Sequence, residues 1–239
     1  MLSGLLGLFD GVSFGKHNLV CRFMKGLFNE RPPRARYHAS WDVNKVLNWL
    51  RKASPVKFLS LKQLTLKLVM LMALTSGQRG QTLHLLDLAN LAKGKDYKFG
   101  FSAPLKHSRP SAPLPVVTFS PYPPDRRLCV ITVLKEYIKR TKSRRKSETF
   151  LLLSYIKPHS RVSRDTVGRW IKTVLSLSGI DVKDYAPHST RMAATSRARD
   201  NAVSLSVIMD AAGWSQVGTF KTFYYRPQEK SFQEGVLAS

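Results

Sequence analysis

The segment Pro187-His188-Ser189-Thr190-Arg191, followed by Ala212-Gly213-Trp214 and then by Thr219-Phe220-Lys221-Thr222-Phe223-Tyr224-Tyr225-Arg226-Pro227, decides how this chain is read. His188 and Arg191 stand three residues apart at a helix start, so they share one helix face. The pattern predicts helices over 188–199, over 204–212 with Gly213 as the stop, and over 217–225 ended by Pro227. Three short helices therefore bring a His, an Arg, a Trp and a Tyr pair into one third of the sequence.

The rest of the chain supplies a scaffold. Ser163 is placed to cap a helix through Leu177, closed by Gly179. Thr149 to Ser154 reads as a short buried segment, and Leu128 to Lys142 as a helix running into the basic stretch Lys139–Lys146, read as a phosphate-contacting tail. Lys98 to Pro121, with apolar runs at 99–101 and 116–119, predicts a small hairpin whose long basic turn holds Lys106-His107-Ser108-Arg109. Ser60 caps a helix over 61–76 that is apolar nearly all round and so buried. Gly77 ends it, and Arg79 follows at once. Helices are also expected over 82–90 and, capped by Ser40, over a stretch whose apolar face is Trp41, Val43, Val46, Leu47 and Leu50. Residues 1–30 read as an apolar helical piece interrupted by glycines, and Arg31-Pro32-Pro33-Arg34 as a linker. The expected fold class is mainly α with a small antiparallel β-sheet (α+β).

Composition narrows the function. The 239 residues carry 39 Lys plus Arg against 15 Asp plus Glu, a net charge of +24, and 43% are hydrophobic. That is enough apolar material for a core, and a folded domain this basic expects a polyanion, with nucleic acid first. Two cysteines, Cys21 and Cys129, give no disulfide framework and suggest a reducing compartment. His17 and Cys21 are too few ligands for a structural metal site. The apolar start meets Asp10 directly and is not read as a signal peptide, and the run at 68–74 is too short for a membrane span.

Arg79 in "TSGQRGQTLHLLDL", His188 and Arg191 in "HSTR", Trp214 in "AGWS" and a terminal Tyr in "TFYYRP" resemble, in order and separation, the tyrosine recombinase (phage integrase) family. Within it they are most similar to the recombinases of DIRS-type retroelements. The resemblance runs from about Arg31 to Pro227. It implies the tyrosine recombinase catalytic-domain fold over 34–229, a remnant of an N-terminal helical DNA-clamp domain and linker over 1–33, and a short tail over 230–239. It also implies double-stranded DNA as partner, a homo-oligomer (a tetramer on paired sites), no cofactor, metal, membrane or small-molecule substrate, and a nuclear location for a eukaryotic retroelement product, or otherwise the cytoplasm or nucleoid.

The implied reaction is attack of a Tyr hydroxyl on a DNA phosphodiester, leaving a 3′-phosphotyrosyl link and a free 5′-hydroxyl, and then reversal by another strand. The bond energy stays in the adduct, so ATP is not needed. Arg79 and Arg191 would clamp the phosphate oxygens, because guanidinium stays charged and donates a planar fork of hydrogen bonds. His188 would handle the tyrosine proton. Trp214 would donate its indole N–H to a phosphate oxygen but cannot act as acid or base. Lys106 on the hairpin turn would protonate the leaving oxygen, with Arg109 and Lys98 as less favoured substitutes. Tyr224 is preferred as nucleophile, although the family count of about nine residues past the Trp falls on Phe223. Tyr225 would point about 100° away on a helix.

Each residue also has a plain structural use. Arg79 can complement a helix dipole, Trp214 can be core, and Phe220, Phe223 and one tyrosine fit core positions at helical spacing. Support of Arg79 by an acidic neighbour is open, since Thr82 stands where that residue would be sought and Asp87 lies farther on. The rival functions are a catalytically weak or inactive DNA-binding remnant and, from another class, a basic RNA-associated protein.

Overall fold

The computed structural model describes residues 5–32, 37, 39–102, 105, 108, 114–214 and 216–226. The chain divides into two compact units, Met1–Arg36 and Tyr37–Ser239.

In the first unit, β1 (Leu8–Phe9) pairs antiparallel with β2 (Val12–Ser13), and α1 spans Asn18–Glu30. The expectation of a helical piece over 1–30 is corrected at 8–13. There Asp10 and Gly11 take φ of 48° and 73°, the double positive φ that a two-residue hairpin turn needs and that Asp-Gly supplies.

The second unit is built around α3 (Leu61–Ser76), which packs against α5 (Val130–Thr141), α6 (Arg164–Leu177) and α7 (Ser189–Asp200). The start of α3 is a capping box: Ser60 Oγ accepts from the Gln63 N–H at 3.2 Å and Gln63 Oε1 accepts from the Ser60 N–H at 2.9 Å, satisfying two donors that the first turn leaves unpaired. Because the helix is surrounded, its polar side chains must find partners. Lys67 is fully buried, and its ammonium donates to Leu50 O (2.8 Å), Ala53 O (2.7 Å) and Ser54 Oγ (3.0 Å) at the end of α2 (Val43–Lys52). Burial lowers the Lys67 pKa to about 8. α2 is capped by Asp42, whose carboxylate accepts from the Asn44 N–H at 2.8 Å. Ser40, the expected cap, lies two residues too early.

The expected helix over 82–90 is broken into a short helical turn, α4 (Gly80–Leu83), and a single 3-10 turn, Leu88–Asn90, that leads into a strand. Asp87, in extended backbone, separates the two turns and caps the second. Its carboxylate accepts from the Ala89 N–H at 2.9 Å, and its backbone bridges to Phe150. Such local side-chain bonds compete with helix. The chain then enters a three-stranded antiparallel sheet of β3 (Leu91–Lys93), β4 (Tyr97–Phe99) and β5 (Val117–Phe119), one strand more than the expected hairpin. Tyr97, Phe99, Val117 and Phe119 face the core while Lys98 and Thr118 face out. The fold is thus mainly helical with small antiparallel sheets.

The basic stretch that begins in the last turn of α5 is in part structural. Arg145 is buried, donating to Phe150 O (2.6 Å), Leu151 O (2.8 Å) and Thr141 Oγ1 (2.9 Å), so it staples the buried segment 151–153. Arg140 donates to Leu59 O. Both contacts support the fold, and the buried Arg145 is unavailable as a phosphate contact.

Candidate active site

The residues singled out in the sequence come from four places. Gly77, held at φ 59° where a β-carbon is strained, ends α3 and turns the chain so that Arg79 opens α4. His188 caps the start of α7, and Arg191 lies in its first turn. The Trp41 indole donates to Ser189 Oγ at 2.9 Å and ties that helix start to the segment before α2. Gly213, at φ 65°, ends α8 (Leu205–Ala212) and delivers Trp214. The tyrosine segment is α9 (Val217–Thr219) running directly into a π-helical turn, Phe220–Tyr224.

That turn corrects the expectation of one regular helix over 217–225. The Tyr225 N–H reaches back five residues to Phe220 O at 2.8 Å. A π turn holds roughly one residue more than an α turn, and such turns recur at functional sites. The turn therefore places one residue more between Trp214 and Tyr224 than a regular helical turn would. Phe223 is exposed, while Tyr224 packs inward beside Trp214, their ring centroids 4.5 Å apart.

The side chains converge. Tyr224 Oη and His188 Nε2 are 3.2 Å apart and share a hydrogen bond. The Arg191 guanidinium carbon sits 4.4 Å from the Trp214 ring centroid and 5.4 Å from that of Tyr224. Arg191 is only 2% exposed. One of its nitrogens, Nη2, donates to Ala212 O at 2.6 Å. Nε and Nη1 are buried with no partner, as is the Trp214 indole Nε1. Burial first, and then the neighbouring charge of Arg79, push the Arg191 pKa down to about 9, which leaves it protonated at neutral pH. Among the described residues no carboxylate pairs with Arg191. A buried, unpaired cation is costly, and an anion offsets that cost. Nε, Nη1 and the indole N–H are therefore donors suited to an oxyanion such as a phosphate.

Arg79, His188 and Arg191 line one cleft of about 570 Å³, together with Arg164, Arg169 and Lys172 on α6. Sequence reading missed these three. Their spacing of five and three on one helix was the available signal, hidden among many other basic residues.

Tyr225 is turned elsewhere. Its hydroxyl donates to Asp200 Oδ1 at 3.3 Å, and burial, with the Asp200 charge, raises its pKa. Lys106 and its substitute Arg109 lie outside the described residues. Lys98 is exposed on β4. Among the described residues no cluster of three or more His, Cys, Asp or Glu is placed to hold a metal ion, and no helix is long and apolar enough to cross a membrane.

The chain belongs to the phage integrase family, whose model matches residues 44–231. Its fold is similar to that of the XerH site-specific recombinase bound to a palindromic difH substrate in a post-cleavage complex. That match has a TM-score of 0.58 and 11% identity and covers 77% of this chain and 49% of that one. It is similar as well to XerA recombinase (TM-score 0.58, 16% identity, 95% and 76% covered) and to a lambda integrase tetramer bound to a Holliday junction (TM-score 0.51, 16% identity, 88% and 58% covered). The chain spans about half the length of that XerH chain. No curated protein matches the sequence.

Proposed function

We propose that this chain cleaves and rejoins double-stranded DNA, with Tyr224 as the nucleophile. The observation that carries this reading is the Tyr224 hydroxyl 3.2 Å from His188 Nε2, beside an Arg191 whose Nε and Nη1 lack partners. His188 takes the phenolic proton as Tyr224 Oη attacks the phosphorus. The P–O5′ bond breaks, the 5′-oxygen leaves as a hydroxyl after gaining a proton, and the 3′-phosphate stays on the tyrosine. Arg191, Arg79 and the Trp214 N–H stabilise the charge on the non-bridging oxygens, the buried Arg191 doing so as a preorganised donor. Lys106 is proposed as the acid for the leaving oxygen. Attack by another strand's 5′-hydroxyl reverses the chemistry, with no ATP.

The finer expectations belong to the same reading: a DIRS-type retroelement origin, work in the nucleus, and assembly as a tetramer on paired DNA sites. The test is a nicked suicide duplex carrying a candidate terminal repeat. A protein–DNA adduct that survives denaturation supports strand transfer. Retention of DNA with no adduct contradicts it and favours a DNA-binding remnant, and preference for structured RNA contradicts both.

A further inference from the structure

We propose that Ser196 is a positioning residue that holds the Tyr224 main chain, so that α7 grips the tyrosine at both ends. This inference rests on Tyr224 being the nucleophile and adds a residue to that site.

Ser196 is 1% exposed and lies on α7 eight residues beyond His188. A little over two turns separates them along the helix, and both meet the tyrosine segment. The Ser196 hydroxyl donates to Tyr224 O at 3.0 Å and accepts from the Arg226 N–H at 2.9 Å. One hydroxyl therefore uses its donor and an acceptor on the backbone that flanks the end of the π turn. His188 meets the same residue at its phenol oxygen. Arg226 extends the clamp, donating from Nη2 to Thr222 O (2.9 Å) and from Nε to Tyr37 O (2.9 Å). The last carbonyls of a helical turn have no partner within the turn, and here Ser196 and Arg226 supply them. The turn thus keeps the wide geometry that carries Tyr224 to His188.

Removing the hydroxyl frees the Tyr224 carbonyl and the Arg226 amide without touching His188, Arg191 or the cleft. Displacing a reacting group by about 1 Å costs up to roughly a hundredfold in rate. Ser196→Ala is accordingly expected to slow adduct formation on the suicide duplex by about ten- to a hundredfold, with DNA affinity and melting temperature close to wild type. Rejoining from a preformed adduct is expected to be nearly unaffected, because the phosphate itself then tethers the tyrosine. Ser196→Thr, which retains the hydroxyl, restores most of the rate.

A second readout does not depend on activity. Hydrogen exchange at the Arg226 amide, slow in the wild type, becomes fast in Ser196→Ala while the amides of α3 and α5 keep their protection. Unchanged exchange at Arg226, or unchanged cleavage in Ser196→Ala beside an active wild type, overturns the clamp. An equal fall in cleavage and rejoining also overturns it. A wild type that makes no adduct overturns the nucleophile assignment instead, and the exchange measurement still decides whether the hydroxyl holds the segment.

Discussion

The Tyr224 hydroxyl and the His188 imidazole share a hydrogen bond of 3.2 Å, although 36 residues separate them in the chain. A tyrosine hydroxyl has an ordinary pKa of about 10 and is a weak nucleophile unless a base removes its proton. General acid–base help of this kind is worth roughly 10²–10⁴-fold. His188→Ala is therefore expected to slow adduct formation by at least about a hundredfold while DNA binding in a gel-shift assay changes little. A cleavage rate within a few-fold of wild type would remove His188 from the proton transfer.

Arg191 holds Ala212 O with one nitrogen and presents two others. A lysine has a single point charge and cannot do both. Loss of one preorganised oxyanion donor typically costs about 10²–10³ in rate, so Arg191→Lys should lose cleavage on that scale in single-turnover measurements. Substantial activity in Arg191→Lys would show that charge alone suffices.

Arg164, Arg169 and Lys172 line the cleft on α6. If each neutralises one phosphate, replacing all three by Ala should flatten the plot of log K against log salt concentration by about 3 units of slope, since each contact contributes about 0.9. Gel shifts across a salt series read this directly. An unchanged slope would place the DNA backbone away from α6.

The buried Lys67 gives a pH dependence of stability. Its pKa in the folded chain, about 8, lies below the ordinary 10.5. Between those values the unfolded chain binds more protons than the folded one, so stability rises with pH. The gain from this group starts near pH 8 and is complete above pH 10.5, amounting at most to about 3 kcal/mol. Denaturant unfolding of wild type and Lys67→Met should diverge across that window, the wild type gaining relative to the variant. Parallel curves would contradict the assignment.

Much of this molecule was legible in its sequence for local reasons. Ser60, Gly77, Ser163 and Gly213 act where they stand, and caps and left-handed glycines depend on a few neighbouring residues. His188, Arg191, Trp214 and Tyr224 could be chosen together because their order and separation resemble a known family, and the implied chemistry then gives each residue type a task. What escaped depends on distant partners. Arg145 reads as one more charge in a basic run until its carbonyl acceptors at Phe150 and Leu151 are seen. Asp87 interrupts an apparent helix, its extended backbone bridging to Phe150 while its carboxylate caps a separate 3-10 turn. Ser196 and Arg226 carry no signal of their own, since their role is defined by a backbone turn whose π geometry no periodicity announces. The Asp10-Gly11 turn, by contrast, had a readable signal that the surrounding apolar residues masked.

The most direct test of the account is to trap the adduct on a suicide duplex, digest the protein and fragment the DNA-linked peptide by mass spectrometry. The phosphodiester remnant is expected on Tyr224, with adduct abolished in Tyr224→Phe and retained in Tyr225→Phe. A remnant on Tyr225, or an adduct that survives Tyr224→Phe, would contradict it.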